Sequence, residues 1–208
     1  MRATESDERD ELPLFPLQAV LFPGGLLGLT VFEARYLDLV TTCLRERQPF
    51  GVVTLRSGDE VRRPDRPVSF EAVGTLAEIA AMDSDRPGIL QVSCRGTSRF
   101  RVLASHQHAD GLWLAQTEPI ADDAVLAPAE SQTASVRGLT EAIAAMKEQG
   151  HAPFLPPYRF DDAGWVANRW CEILPIPLAA KFRLMELEDP LVRLQLVDDY
   201  LRGKGVVG

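Results

Sequence analysis

Lysine is nearly missing from this chain: there are three in 208 residues, Lys147, Lys181 and Lys204. A phosphate-binding loop needs a glycine-rich turn closed by Gly-Lys-Ser/Thr, so that backbone amides and the ammonium hold the phosphates. Gly203-Lys204 runs on into Gly205 with no glycine five residues before Gly203, so an ATP site is not expected. Cysteine is as scarce. Cys43, Cys94 and Cys171 are odd in number, far apart and never spaced Cys-x-x-Cys. That argues against a disulfide scaffold and for buried thiols in a reducing, cytoplasmic protein. No apolar run is long enough to span a bilayer. The start, MRATESDERDE, is charged and polar, which predicts a frayed leader rather than a secretory signal. Basic charge is outnumbered, 22 Lys and Arg against 30 Asp and Glu, for a net charge of −8. Residues 1–122 carry 13 basic and 18 acidic side chains and residues 123–208 carry 9 and 12, so neither half is a basic module. Nucleic acid is therefore a disfavoured partner, because phosphate binding needs clustered Lys and Arg.

The remainder has the profile of a globular protein with a full core, 46% hydrophobic and 25% charged. Leu12–Tyr36, LPLFPLQAVLFPGGLLGLTVFEARY, organises it. Phe15-Pro16 and Phe22-Pro23 mark strand ends, and the run between them is apolar on both faces, which predicts a strand buried on two sides. Gly24-Gly25 supplies a turn. Thr30-Val31-Phe32-Glu33 fits a capping box for a helix carrying Tyr36, Leu39, Val40, Cys43 and Leu44 and stopping before Pro49. Strands are predicted at Phe50–Leu55, Ala72–Ala80, Ile89–Ser93, Arg99–Ser105 and Leu112–Ile120. A polar loop is expected at Arg56–Pro67, a tight turn at Arg95-Gly96-Thr97 and a bulge or close backbone approach at Gly74. Several short strands around one helix suggest a closed or nearly closed small β-barrel. After Asp122 the period becomes helical. Helices are expected up to Gly150, after a cap at Asp161, from Leu178 to Met185, and after Asp189-Pro190, which together make a bundle. The fold class is thus α+β, with a barrel over 12–122 and a helical bundle over 123–205.

Chemistry is harder to find. His106 and His108 would share a strand face and could begin a metal site, but spacing offers no third ligand, and an exposed edge is the simpler reading. Ser93-Cys94 has no histidine placed beside it. The arginines of Arg56–Pro67 could bind an anion, but Asp59, Glu60 and Asp65 neutralise much of their charge. Asp122-Asp123 and Asp161-Asp162 read as helix caps, and Asp198-Asp199 as a solvated face. Trp165 and Trp170, with Phe154 and Tyr158, could stack on a ligand, although helical spacing favours core. No cofactor or metal is expected.

Five blocks in order, LPLFPLQAVLFPG then FEARY, FGVV, VGTLAEI and GTSRF, resemble the N-terminal substrate-binding domain of the Lon protease family. KFRLME at Lys181–Glu186 and Arg193-Leu194 resemble its following helical part. One departure is Gly28-Leu29-Thr30, where the family tends to have Pro-Leu. The resemblance covers nearly all of the chain from Leu12 onward. It implies a PUA-like β-barrel with one inserted helix joined to an α-helical bundle, and a non-catalytic module that recognises unfolded or partly folded polypeptides. The ATPase and peptidase domains of the full proteases are not expected here, so a stand-alone binding protein is. RNA binding by a PUA-like barrel and an unrecognised hydrolase are the alternatives. The matched positions are Phe15, Pro16, Phe22, Pro23, Gly24, Phe32, Glu33, Arg35, Tyr36, Gly74, Gly96, Arg99 and Phe100. Glu33 is expected to cap the helix, Arg35 and Tyr36 to tie it to the barrel, Gly74 and Gly96 to set turns, Phe100 to point inward and Arg99 outward. These positions are mainly structural and leave the peptide site unassigned.

Overall fold

A computed structural model describes residues 11–60 and 67–208. The leader before Glu11 and the middle of the loop expected at Arg56–Pro67 lie outside the described residues. Contacts divide the chain into two compact units. One holds the described residues up to Leu21 together with Leu27–Ile120; the other holds Phe22–Leu26 and Ala121–Gly208. Phe22–Leu26 thus clusters away from the sequence that flanks it.

The first unit holds β1 (Leu12–Leu17), β2 (Leu26–Val31) apart from its first residue, α1 (Ala34–Glu46), β3 (Phe50–Ser57), β4 (Ser69–Arg86), β5 (Ile89–Gln107) and β6 (Trp113–Pro119). The strands form one mixed sheet in the order β2-β5-β4-β3-β1-β6, with β5 also paired to β6. β1 runs parallel to β3 and antiparallel to β6. The β6 pairing covers only Leu12–Leu14, so Pro16, which has no N–H, sits where β1 has a single neighbour.

Side chains alternate between two apolar clusters, as a period of two requires. Phe15, Phe50, Val52, Ala77 and Cys94 join the residues of α1 in the larger cluster. Leu14, Val53, Phe100 and Ala115 form the smaller one. The Phe100 ring lies over two glycines. A Cβ on Gly51 would come within 2.6 Å of Phe100 Cζ, and one on Gly74 within 2.5 Å of Phe100 Cζ and 2.5 Å of the Val52 carbonyl oxygen. Gly74 therefore serves a close approach inside β4 and is not a turn.

Four expectations change. The strand expected between the two Phe-Pro steps ends at Leu17, because the Ala19 and Leu21 carbonyls accept hydroxyl hydrogen bonds from Thr54 (3.0 Å) and Thr75 (2.6 Å) instead of pairing in a ladder. The turn at Arg95-Gly96-Thr97 is a bulge within the single strand β5, where Thr75 pairs with Arg99 but Ala77 with Gly96, so Leu76 alone faces Thr97 and Ser98. The capping box is absent: Thr30 belongs to β2, and Glu33 is the N-cap of α1 by position without a side-chain cap bond. Arg99, expected to point outward, is 2% exposed.

The second unit holds α2 (Thr133–Glu148), α3 (Ala163–Ile173), α4 (Leu178–Glu186) and α5 (Pro190–Gly203). Residues 163–171 of α3 are all buried, so α3 is the central helix. Its cap is Asp162 rather than Asp161, accepting from the Gly164 and Trp165 amides at 3.0 and 3.2 Å. Asp189 caps α5 in the same way. The other acidic pairs are not what they seemed. Asp123 forms an ion pair with Arg193, itself 1% exposed. Asp198 is buried, accepting from Ser135 Oγ at 2.6 Å and Arg202 Nε at 2.8 Å. Trp165, Trp170 and Phe154 are core residues.

Replacing Gly74 with Ala forces its Cβ against a backbone oxygen and a ring held on all sides. Overpacking of that kind costs about 1–3 kcal/mol. Urea unfolding should show that loss for Gly74→Ala and almost none for Gly28→Ala, whose Cβ would meet nothing within 4 Å.

Candidate functional site

Two groups of the matched residues gather at separate places. The first lies in the sheet unit, beside a groove of about 360 Å³ lined by Phe15, Leu17 and Ala19 from the first arm, Leu27–Glu33 along β2 and its exit, Tyr36 of α1, and Glu60. Its floor is built by stacking. Tyr36 sits at the first turn of α1 and faces Phe15 of β1 ring to ring, with centroids 3.8 Å apart and planes 7° from parallel. Such a pair adds about 0.5–1.5 kcal/mol beyond its area. Arg35 fixes the same turn. Its Nη1 donates to the Gly111 carbonyl at 2.6 Å, its Nη2 to Glu33 Oε2 at 3.0 Å, and its guanidinium lies 4.5 Å from the Tyr36 ring centre. Burial pushes the Tyr36 hydroxyl up to about 12, against the opposing pull of Arg35, so it stays a neutral phenol. Phe32 stands at the mouth, 53% exposed. Glu60 anchors the arm by accepting the Gln18 amide at 2.6 Å. The groove is apolar at its base with carboxylates at its rim; among the described residues that line it, none is basic. It can receive apolar side chains.

The second group is Phe22, Pro23 and Gly24, in the helical unit. The Gly25 amide donates to the Phe22 carbonyl at 2.9 Å, and Gly24 takes φ +74°, the left-handed value that favours glycine in this turn. Arg169 of α3 clamps it, donating to the Gly24 carbonyl at 2.6 Å, the Pro23 carbonyl at 3.0 Å and Glu172 Oε1 at 2.7 Å. Gly74, Gly96, Arg99 and Phe100 belong to the long strands β4 and β5 rather than to this turn.

The other candidates stay apart. His106 faces Glu11 at 3.6 Å and His108, beyond the end of β5, faces Asp110 at 3.0 Å. Among the described residues no three His, Cys, Asp or Glu gather as a metal site. Cys94 is fully buried, and burial pushes its thiol up to about 12, the wrong direction for a nucleophile. The Cys43 and Cys171 thiols are raised by burial too, to about 11 and about 12. Sequence reasoning missed Arg169, Glu60 and the run Leu27–Val31. The first two are single charged residues whose partners are distant in sequence, so no local signal marks them.

Burial pushes the Glu172 carboxyl up to about 7, against the opposing pull of Arg169 and Lys181. A folded-state value above the unfolded one means the native protein holds a proton the unfolded chain has released. Stability from this group is therefore greatest in acid and falls as pH rises through the window between about 4.5 and 7. Urea unfolding from pH 5 to 7.5 should show wild type losing on the order of 2 kcal/mol relative to Glu172→Gln, whose amide does not titrate. Parallel profiles would mean Arg169 keeps the carboxylate ionised throughout.

A family model described as the ATP-dependent protease La (LON) substrate-binding domain matches residues 11–203. Lon protease of Anaeromyxobacter dehalogenans is 26% identical over 197 residues, which is 93% of this chain and 23% of that protein. Lon protease 2 of Myxococcus xanthus is 26% identical over 197 residues, 93% of this chain and 24% of that protein. The chain thus spans about a quarter of the curated relatives it matches. A solved Lon N-terminal domain protein from Xanthomonas campestris is 31% identical with a TM-score of 0.71, covering 90% of this chain and 96% of that one. The N-terminal domain of a Mycobacterium avium complex Lon protease shares the fold at a TM-score of 0.62 and 14% identity, over 92% of this chain and 98% of that one. A match running from Glu11 to Gly203 and the fold shared with the solved Xanthomonas campestris domain agree: the chain belongs to the LON substrate-binding domain family.

Proposed function

We propose that this chain is a non-catalytic protein-binding module that takes unfolded or partly folded polypeptide segments in the groove beside Phe15, Tyr36 and Phe32. The observation that carries this reading is a large apolar side chain left half in solvent at the mouth of an apolar groove, where burial against a partner is the available gain. The name of the matched family, a substrate-binding domain, supports it. The acidic balance and the lack of basic lining residues favour a protein partner over RNA. The ATP-driven and peptidase activities of the full-length relatives form no part of the proposal. The setting we propose is cytoplasmic protein quality control; among the described residues no helix is long and apolar enough to cross a membrane. We read the return of β5 onto β6 as the PUA-like barrel of the family and α2–α5 as its helical bundle, with 12–122 and 123–205 as the two subdomains apart from the Phe22–Leu26 excursion.

The direct measurement is fluorescence anisotropy of a labelled, permanently unfolded client, such as reduced and carboxymethylated α-lactalbumin, titrated with the protein in the absence of ATP. Binding at micromolar concentration is expected. Phe32→Ser should weaken it about three- to tenfold, while shifting unfolding by no more than about 0.5 kcal/mol, as for other exposed positions. Absence of binding, or binding indifferent to Phe32, would remove the groove from the account.

A further inference from the structure

β2 is a terminal strand of the sheet, hydrogen-bonded to β5 on one side only; among the described residues no strand occupies its other edge. Such edges are normally guarded by charge, proline, a bulge or a cover. β2 reads Leu-Leu-Gly-Leu-Thr-Val, with no charge and no proline. It alternates in burial, with Leu26, Gly28 and Thr30 exposed while Leu29 and Val31 are buried. Open space surrounds Gly28. The same strand forms one wall of the groove, so backbone donors and acceptors lie beside an apolar slot with the Glu33 and Glu60 carboxylates at its rim.

From this juxtaposition we propose that the bound polypeptide adds to the sheet as a further strand along the outer edge of β2. The occupant is an extended segment with apolar side chains at alternate positions and Lys or Arg between them. Backbone hydrogen bonds to β2 would give affinity with little dependence on sequence. The alternate apolar side chains would enter the slot past Phe32 and Leu29, and the cations between them would meet the Glu60 carboxylate, since Glu33 is already paired with Arg35 and no basic side chain lines the groove among the described residues. The inference rests on the peptide-binding reading above and specifies how the chain is held.

The probe is a labelled ten-residue peptide alternating Val or Leu with Lys, tested on the whole protein by anisotropy. Two further versions carry N-methyl groups on one or the other alternate set of amides. In an added strand one set donates to β2 and the other faces away, so one version should lose tenfold or more and the other little. Glu in place of Lys should also weaken binding tenfold or more, with a smaller loss at high salt. Gly28→Lys, placed in open space, should fold normally and weaken the Lys peptide at least fivefold. Equal behaviour of the two N-methylated versions, or no effect of Gly28→Lys, overturns strand addition. If the unfolded client still binds in a Phe32-dependent way, the binding module survives that result; if neither client nor peptide binds, the functional reading fails with it.

Discussion

The sheet depends on a ring with nowhere else to go. Phe100 occupies space that two side chains would otherwise fill, and only glycine at 51 and 74 leaves that space open. With the ring seated, Leu14, Val53 and Ala115 pack around it into a small second core. That core gives the strands two apolar faces. β1 and β3 can then be buried on both sides, one face toward Phe100 and the other toward α1. The bulge in β5 has a matching role: one extra residue shortly before Phe100 changes the pairing phase, and β5 goes on to meet β6 beyond it.

The helical unit is organised differently, around buried guanidinium groups. Arg169 and Arg193 are among its most deeply buried side chains. Burying a cation is tolerable only when carboxylates and carbonyls surround it. Arg193 meets Asp123, Asn168 and the Leu184 carbonyl, and Arg169 meets Glu172 and the carbonyls of Pro23 and Gly24. Each joins stretches far apart in sequence, which explains why Phe22–Leu26 clusters with α3 despite its position between two strands. A planar fork with several donors suits this work better than an ammonium could, and it fits the scarcity of lysine.

The groove follows from how its walls are held. The Phe15–Tyr36 stack and the Arg35 fork hold the base, and in the proposed binding mode such pre-organisation would lower the ordering cost. Among the described residues, Phe32 keeps about half of its surface in solvent and no strand lies along the outer edge of β2. Those two deficits match what an unfolded segment offers, which is exposed apolar side chains and free peptide groups. In the binding mode proposed above, such a surface would recognise a chemical state of a polypeptide more than a particular sequence.

The sequence by itself determined the kinds of element and most of their places. The switch from alternating to helical period near Asp122, the Asp189-Pro190 cap and the FGVV strand are local signals, and local sterics and hydrogen bonding suffice to impose them. The family resemblance was legible for the same reason: FEARY and GTSRF are short blocks. It also brought Phe15, Phe32, Glu33 and Tyr36 to notice, which line the groove, without showing that they meet. What only the tertiary structure decided depends on partners distant along the chain. Thr54 and Thr75 hydroxyls end β1 early, Arg193 claims Asp123 from its expected role as a cap, Arg99 is drawn inside, and Thr30-Val31, expected in a capping box, ends the edge strand β2 instead. In each case a long-range hydrogen bond, ion pair or strand pairing outweighs a local preference worth about a kilocalorie, and no pattern within a few residues can announce which distant group will supply it.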